Sequence, residues 1–242
     1  MDYQVQTQQP VPGGMNSVQV PLVPMPSYSP ALAYLSTVDQ LVVKQKKELV
    51  EIVLDYESAN KYEVKNSQGQ TIFMALEDSD FCSRNLCGNM RPFALKIMDC
   101  NQIEVMKLVR PLACSGCCFP CCLQTMEVEC PPGTVVGRIE EPWTCLTPKF
   151  DIKNEAGETV LSIEGPMCLC NCCSDIDFDI LSVDGETKVG KISKQWSGLM
   201  KEMFTDADHF GINFPLDLDV KVKATLLGAL FLIDFLFFEQ SK

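Results

Sequence analysis

The stretch ATLLGALFLIDFLFF, Ala224 to Phe238, is apolar on every side apart from Asp234. A helix without a polar face has to be enclosed, by protein or by lipid. Its fifteen residues would rise about 22 Å at 1.5 Å each, short of the ~30 Å hydrocarbon core of a bilayer. Asp234 placed in lipid would cost about 2.5–3.5 kcal/mol on insertion scales. On physical grounds the favoured reading is a helix threaded through a shell built by the rest of the chain.

The rest of the chain can supply that shell. From about residue 31 it reads as short strands joined by Asn, Gly and Pro turns. YEVKNSQGQTI from Tyr62 to Ile72 and FDIKNEAGETV from Phe150 to Val160 share a pattern: an aromatic and a β-branched residue on one strand face, KNxxG as the turn, then a second strand. Hairpin-like units follow at Phe93 to Leu108 and at Asp177 to Ile192, with another at Thr125 to Ile139 around Pro131-Pro132-Gly133. The spacing points to an internal duplication of antiparallel strands. Such a chain favours a barrel or a sandwich, and closure into a barrel removes the exposed edges. Its 242 residues suffice for one large β domain.

Residues 1–30 differ. They hold six prolines and one charged residue, Asp2, and read as a tail. The tail is either passive or a docking segment for polyproline-binding protein partners, although no PxxP run with flanking Arg or Lys supports the second.

The formal net charge of -12 argues against DNA or RNA as a partner, because phosphate binding needs a basic surface. It also opposes passive attraction to an anionic leaflet, unless a divalent cation reverses the charge locally. No basic stretch followed by an apolar run stands at the N-terminus, so the 14 cysteines are expected to be cytosolic thiols and not disulfides. His209 is the one histidine, which leaves little room for Ser–His or Cys–His catalysis and points away from an enzyme.

Two constellations carry chemistry. In CSGCCFPCC, residues 114–122, the pairs Cys114/Cys117 and Cys118/Cys121 have metal-ligand spacing, and Cys168, Cys170, Cys172 and Cys173 form a second group. Metal ligation and lipidation both suit these thiols. In TDADHFGINFPLDLDVKVKA, residues 205–224, Asp206, Asp208, Gly211 and Asp217 fall at positions 1, 3, 6 and 12 of a calcium loop. Positions 5 and 9 are phenylalanines, so ligation would draw on carbonyls such as those of Phe210 or Ile212. Affinity should then be weak, at the high-micromolar to millimolar end. Against a loop, Phe210 to Val222 alternates as a strand would, which would carry Asp217 far from Asp206 at roughly 3.3 Å per residue. On that reading Asp217, Asp219, Lys221 and Lys223 form a solvated strand face.

NKYEVKNSQGQ at 60–70, CSGCCFPCCLQ at 114–124, GKISKQWSGL at 190–199 and the run from Phe204 to Glu239 together resemble the phospholipid scramblase family. The resemblance extends from about residue 31 to the C-terminus. It implies a mainly β, tubby-like fold: a closed antiparallel barrel of about twelve strands around the hydrophobic C-terminal helix 224–238. It also implies calcium-activated, ATP-independent movement of membrane phospholipids between leaflets, with Ca2+ as the cofactor. By the same resemblance Cys117, Cys118, Cys121 and Cys122 are palmitoylation sites, with Phe119 standing where relatives carry another cysteine. The expected location is the plasma membrane with the barrel on the cytoplasmic side, and a headgroup path would require homo-oligomers or bilayer thinning. GKISKQWSGL matches a nuclear import segment of some relatives; a strand and turn with Trp196 in the core is the favoured reading. The alternative function is a lipid-anchored signalling or scaffold module that binds lipids and proteins without moving lipid.

Overall fold

The structure, a computed structural model, describes residues 30–46, 60–78, 91–113, 123–144, 147–167, 176–194 and 209–238. The proline-rich tail, the cysteine clusters, Trp196, Asp206 and Asp208 lie outside these residues.

Strands alternate inward apolar and outward polar residues, and twelve of them close into an antiparallel barrel in chain order. They are β1 (Gln40–Lys46), β2 (Lys61–Lys65), β3 (Thr71–Asp78), β4 (Phe93–Met98), β5 (Glu104–Arg110) and β6 (Thr125–Glu129). The second half comprises β7 (Val135–Glu140), β8 (Lys149–Asn154), β9 (Thr159–Glu164), β10 (Asp177–Ser182), β11 (Lys188–Ser193) and β12 (His209–Asn213). Closure comes from β12 pairing with β1, Ile212 opposite Leu41. The chain before β1 folds as a short helix α1 (Pro30–Ala33) and a 3-10 turn (Tyr34–Thr37), where the sequence suggested strands.

The two KNxxG turns are structural copies. Asn66 Oδ1 accepts from the Gln68 and Gln70 amides, and Asn154 Oδ1 accepts from those of Ala156 and Glu158. Gly69 and Gly157 both take the left-handed conformation, φ 78° and 81°, which glycine adopts at no steric cost. Asp99 repeats the device with the Asn101 and Ile103 amides. The duplication is thus read in the same local chemistry at β2–β3 and β8–β9.

The interior is filled by helix α2 (Val220–Ile233), which continues as a π-helical turn, Asp234–Phe238. Every residue from Lys223 to Leu236 is buried. The helix runs close to the wall: a Cβ on Gly228 would stand 2.9 Å from Val128 Cγ2, and one on Gly137 would collide with Thr225 Oγ1. Among the described residues no helix is long and apolar enough to cross a membrane. Outward faces of the strands carry cross-strand ion pairs, among them Lys46–Glu63, Lys96–Asp78, Arg138–Glu127 and Lys149–Glu164. Exposed pairs of this kind stabilise little, about 0–1 kcal/mol each.

The uninterrupted strand expected from Phe210 to Val222 is not formed. β12 ends at Asn213, a turn follows through Pro215 to Leu218, and Asp219 caps α2 by accepting from the Lys221 and Val222 amides. The helix therefore starts four residues before Ala224. Asp217, Asp219, Lys221 and Lys223 are not one solvated strand face either. Lys221 pairs with Glu155 across the barrel end, while Lys223 is buried.

Lys223 closes the end at which α2 enters. Its ammonium donates to the carbonyls of Leu35, Val38 and Leu216 at 3.0, 2.8 and 2.8 Å and lies 5.1 Å from the Phe214 ring centroid. Burial pushes its pKa below the ordinary lysine value, against the pull of Asp39 and Asp217. Because the folded value is the lower one, the unfolded chain binds this proton more tightly. Lys223 therefore adds stability as pH rises from the folded value towards the ordinary one. Lys223→Met should cost about 1–3 kcal/mol by removing a donor from the buried carbonyls of Leu35 and Val38 and the part-buried one of Leu216. Amide exchange at Leu35 to Val38 should speed up, and urea midpoints just below the ordinary lysine pKa should lose the rise with pH expected of the wild-type chain. An unchanged exchange pattern would show that the contact holds nothing in place.

Candidate functional site

Antiparallel order in a barrel sends alternate connections to opposite rims. One rim carries the tight turns of β2–β3, β4–β5, β6–β7, β8–β9 and β10–β11, together with α1 and the turn into α2. The other carries all the long connections: β1–β2, β3–β4, β5–β6, β7–β8, β9–β10 and β11–β12. Of the fourteen cysteines, all except Cys100 and Cys130 belong to connections of this second rim. Cys117, Cys118, Cys121 and Cys122 fall between β5 and β6, and Asp206 and Asp208 fall between β11 and β12. By strand order, the described strands that flank both connections end at one rim of the barrel. They do so without any proximity in sequence.

Asp217 is excluded from that end. The chain passes from Asp208 directly into β12, runs five residues, and reaches Asp217 beyond the opposite end. At about 3.3 Å per residue β12 alone spans roughly 16 Å. Phe210 and Ile212 sit inside that strand, buried at 5% and 0%, and Ile212 is paired with both Leu41 and Ile192. A twelve-residue calcium loop from 206 to 217 is thus interrupted by a central barrel strand. The described residues contain no group of three or more potential metal ligands.

Beneath the long-connection rim the barrel interior ends in a polar layer that the sequence did not reveal. Glu77, Arg91, Arg110 and Gln124 all point inward and are buried. Arg91 Nε and Nη2 donate to the Glu77 carboxylate at 2.9 and 3.3 Å, and Asn60 Nδ2 donates to the same group at 2.7 Å. Arg110 Nε and Nη2 donate to Gln124 Oε1 at 3.1 and 2.6 Å. Phe235, from the turn that ends α2, stacks on Phe93 with centroids 4.1 Å apart. Arg91 lies over Phe235 at 4.8 Å and Arg110 over Phe93 at 5.4 Å. Guanidinium–ring contacts hold charge against apolar surface without surrendering it. This layer fixes the far end of α2 and seals the interior under the rim.

The two cysteines of the opposite rim differ in access. Cys100 is exposed. Cys130 is buried, donates to the Val105 carbonyl, and has its thiol pushed up to about 12 by burial. A thiol of that kind is inert as a nucleophile or acyl acceptor.

Comparison with known sequences gives the family. The Scramblase family model matches residues 18–240. The chain is 55% identical over 230 residues to phospholipid scramblase 1 of Rattus norvegicus, covering 95% of this chain and 68% of that protein. It is 53% identical over 239 residues to phospholipid scramblase 2 of Bos taurus, covering 97% and 82%. Identity to phospholipid scramblase family member 5 of Homo sapiens is 45% over 219 residues, covering 90% and 81%. A filled twelve-stranded barrel whose cysteine-rich connections share one rim therefore belongs to the scramblase family.

Proposed function

We propose that this chain interacts with membrane phospholipids and moves them in both directions between leaflets, in response to calcium and without ATP or covalent catalysis. The reading is supported by the identity to proteins named phospholipid scramblases. The observation that carries its geometry is the gathering of Cys117, Cys118, Cys121, Cys122, Asp206 and Asp208 into connections of one rim. Palmitate on those cysteines would hold that rim on the cytoplasmic leaflet of the plasma membrane, since two acyl chains suffice for stable anchoring. Calcium on Asp206 and Asp208 would offset the acidic surface there.

The test is a vesicle assay with purified full-length chain and fluorescent phospholipid. Calcium-dependent transfer above that of protein-free vesicles is expected, half-maximal near ~0.1–1 mM. Asp206→Ala with Asp208→Ala should remove the calcium response, and Asp217→Ala should leave it intact, because Asp217 sits at the other rim. Loss of the response in Asp217→Ala alone would overturn this assignment.

One observation favours the second reading, a lipid-anchored scaffold that moves no lipid. The interior is occupied by α2 and buried side chains, and the described outer faces carry ion pairs. A headgroup has no hydrated route through such a barrel. Transfer would have to run along thinned bilayer or between copies of the chain. No transfer in the vesicle assay, with vesicle binding retained, selects the scaffold. Protein partners of the residue 1–30 tail belong to the same reading.

A further inference from the structure

We propose that the long-connection rim is a bilayer-docking face that inserts Leu112, Trp143 and Met167 into the boundary between headgroups and acyl chains. The proposal rests on the lipid-surface reading above but not on lipid transfer.

Leu112, Trp143 and Met167 are 64%, 55% and 79% exposed. They follow the last residues of β5, β7 and β9, so they stand on three successive connections of one rim. β5 to β9 are consecutive neighbours in the barrel, and hydrogen bonds extend the β6–β7 and β8–β9 pairs towards this rim. The Glu141 amide donates to the Gln124 carbonyl at 2.8 Å, and the Gly165 amide donates to that of Pro148 at 2.8 Å. The three side chains therefore occupy one arc. They are not gaps in the core, because the interior behind them is closed by the polar layer of Glu77, Arg91, Arg110 and Gln124.

Two properties select a lipid surface as the occupant. The three side chains project from separate connections, and their chemistry is that of an interfacial belt: an amphipathic indole, a flexible thioether and an aliphatic chain. Each also stands within two residues of a cysteine. Cys114 follows Leu112, Cys145 follows Trp143, and Cys168 directly follows Met167. Thiols placed beside inserted side chains are where acyl chains would enter the same membrane, and the two kinds of anchor would add. Nearby Glu140 and Glu164 are paired with Lys153 and Lys149, so the arc does not present a basic surface for anionic lipid. Its attraction is apolar.

The experiment uses the full-length chain carrying Trp196→Phe, so that Trp143 is the remaining tryptophan. Thioester-linked chains are first removed with neutral hydroxylamine. Vesicles of phosphatidylcholine with one-fifth phosphatidylserine should shift the Trp143 emission to the blue, and brominated acyl chains should quench it. Partition, read by co-sedimentation with the vesicles, should fall about 30-fold when Leu112, Trp143 and Met167 are replaced by Glu. Ile103→Glu with Val183→Glu, at the opposite rim, should leave partition unchanged. Met167→Glu alone, at the most exposed position, should weaken partition with an unaltered thermal melt, and it serves if the triple variant folds poorly. No blue shift, unchanged partition in the rim variants, or an equal loss in the opposite-rim variant overturns the proposal. Lipid transfer is measured in the same vesicles. Docking without transfer upholds this face and removes the scramblase reading; transfer with partition indifferent to the three residues does the reverse.

Discussion

A chain ending at Asp219 should not fold. Removing α2 and its π turn strips the barrel of Leu226, Leu227, Leu230, Phe231, Leu232, Ile233, Phe235 and Leu236, all buried. Each such side chain contributes roughly 1.5–3 kcal/mol, and together they match or exceed the ~5–15 kcal/mol that separates a typical domain from its unfolded state. The walls cannot close the space by themselves, because β12 pairs with β1 around the helix and the inward side chains are shaped to it. Tyr62, for one, meets Phe231 edge-on with centroids 5.2 Å apart. The truncated chain should be recovered as aggregate, without the β-sheet circular dichroism or dispersed amide resonances of the full chain. The result separates two roles for the same residues. A helix that served as a membrane anchor could be removed to leave a folded, soluble barrel, and recovery of such a barrel would refute the enclosed position of α2.

Glu77→Ala should cost about 3–5 kcal/mol, the usual penalty for leaving one partner of a buried ion pair uncompensated. Arg91 is 6% exposed and Glu77 also 6%, so water cannot replace the lost carboxylate. The loss should spread, because Asn60 also donates to Glu77 and Arg91 lies over Phe235. Chemical denaturation of the variant should therefore show a lower midpoint with little change in slope. Glu77→Ala combined with Arg91→Met should recover most of the loss, since the charge left behind is what makes the single substitution costly. A single variant within about 1 kcal/mol of wild type would mean that the pair is solvated and the polar layer under the rim is open.

Much of the fold was legible because it depends on local signals. The all-round apolar run at 224–238 demanded enclosure, and the paired KNxxG turns announced hairpins whose Asn side chains cap them in the same way. The reading failed where two periods overlap. Phe210, Ile212 and Phe214 alternate as strand residues and are buried, yet Leu216 is 56% exposed and Val220 already belongs to the helix. Pro215 and Asp219 were the available signals for a turn and a helix cap, outweighed by an alternation that continued by coincidence. That the connections holding Cys117 to Cys122 and Asp206 to Asp208 leave from one rim was not legible, since it follows from strand order and not from any motif. The polar layer and the Lys223 contacts were equally hidden. Arg110 reaches Gln124 fourteen positions away, and Lys223 reaches Leu35 across 188.

That last span has a consequence for biosynthesis. The first strand cannot complete its pairing until β12 is made, and the segment before it is clasped by Lys223, which is made later still. Hairpins can form as they leave the ribosome, but the barrel stays open, with its apolar inner face uncovered, until β12 and α2 have been made. Long-range closure of this kind is slow and exposes surfaces that aggregate. Folding of this chain is therefore expected to wait until α2 has left the ribosome and to draw on chaperones that shield open sheets. The interval ends when α2 has emerged to fill the space held for it.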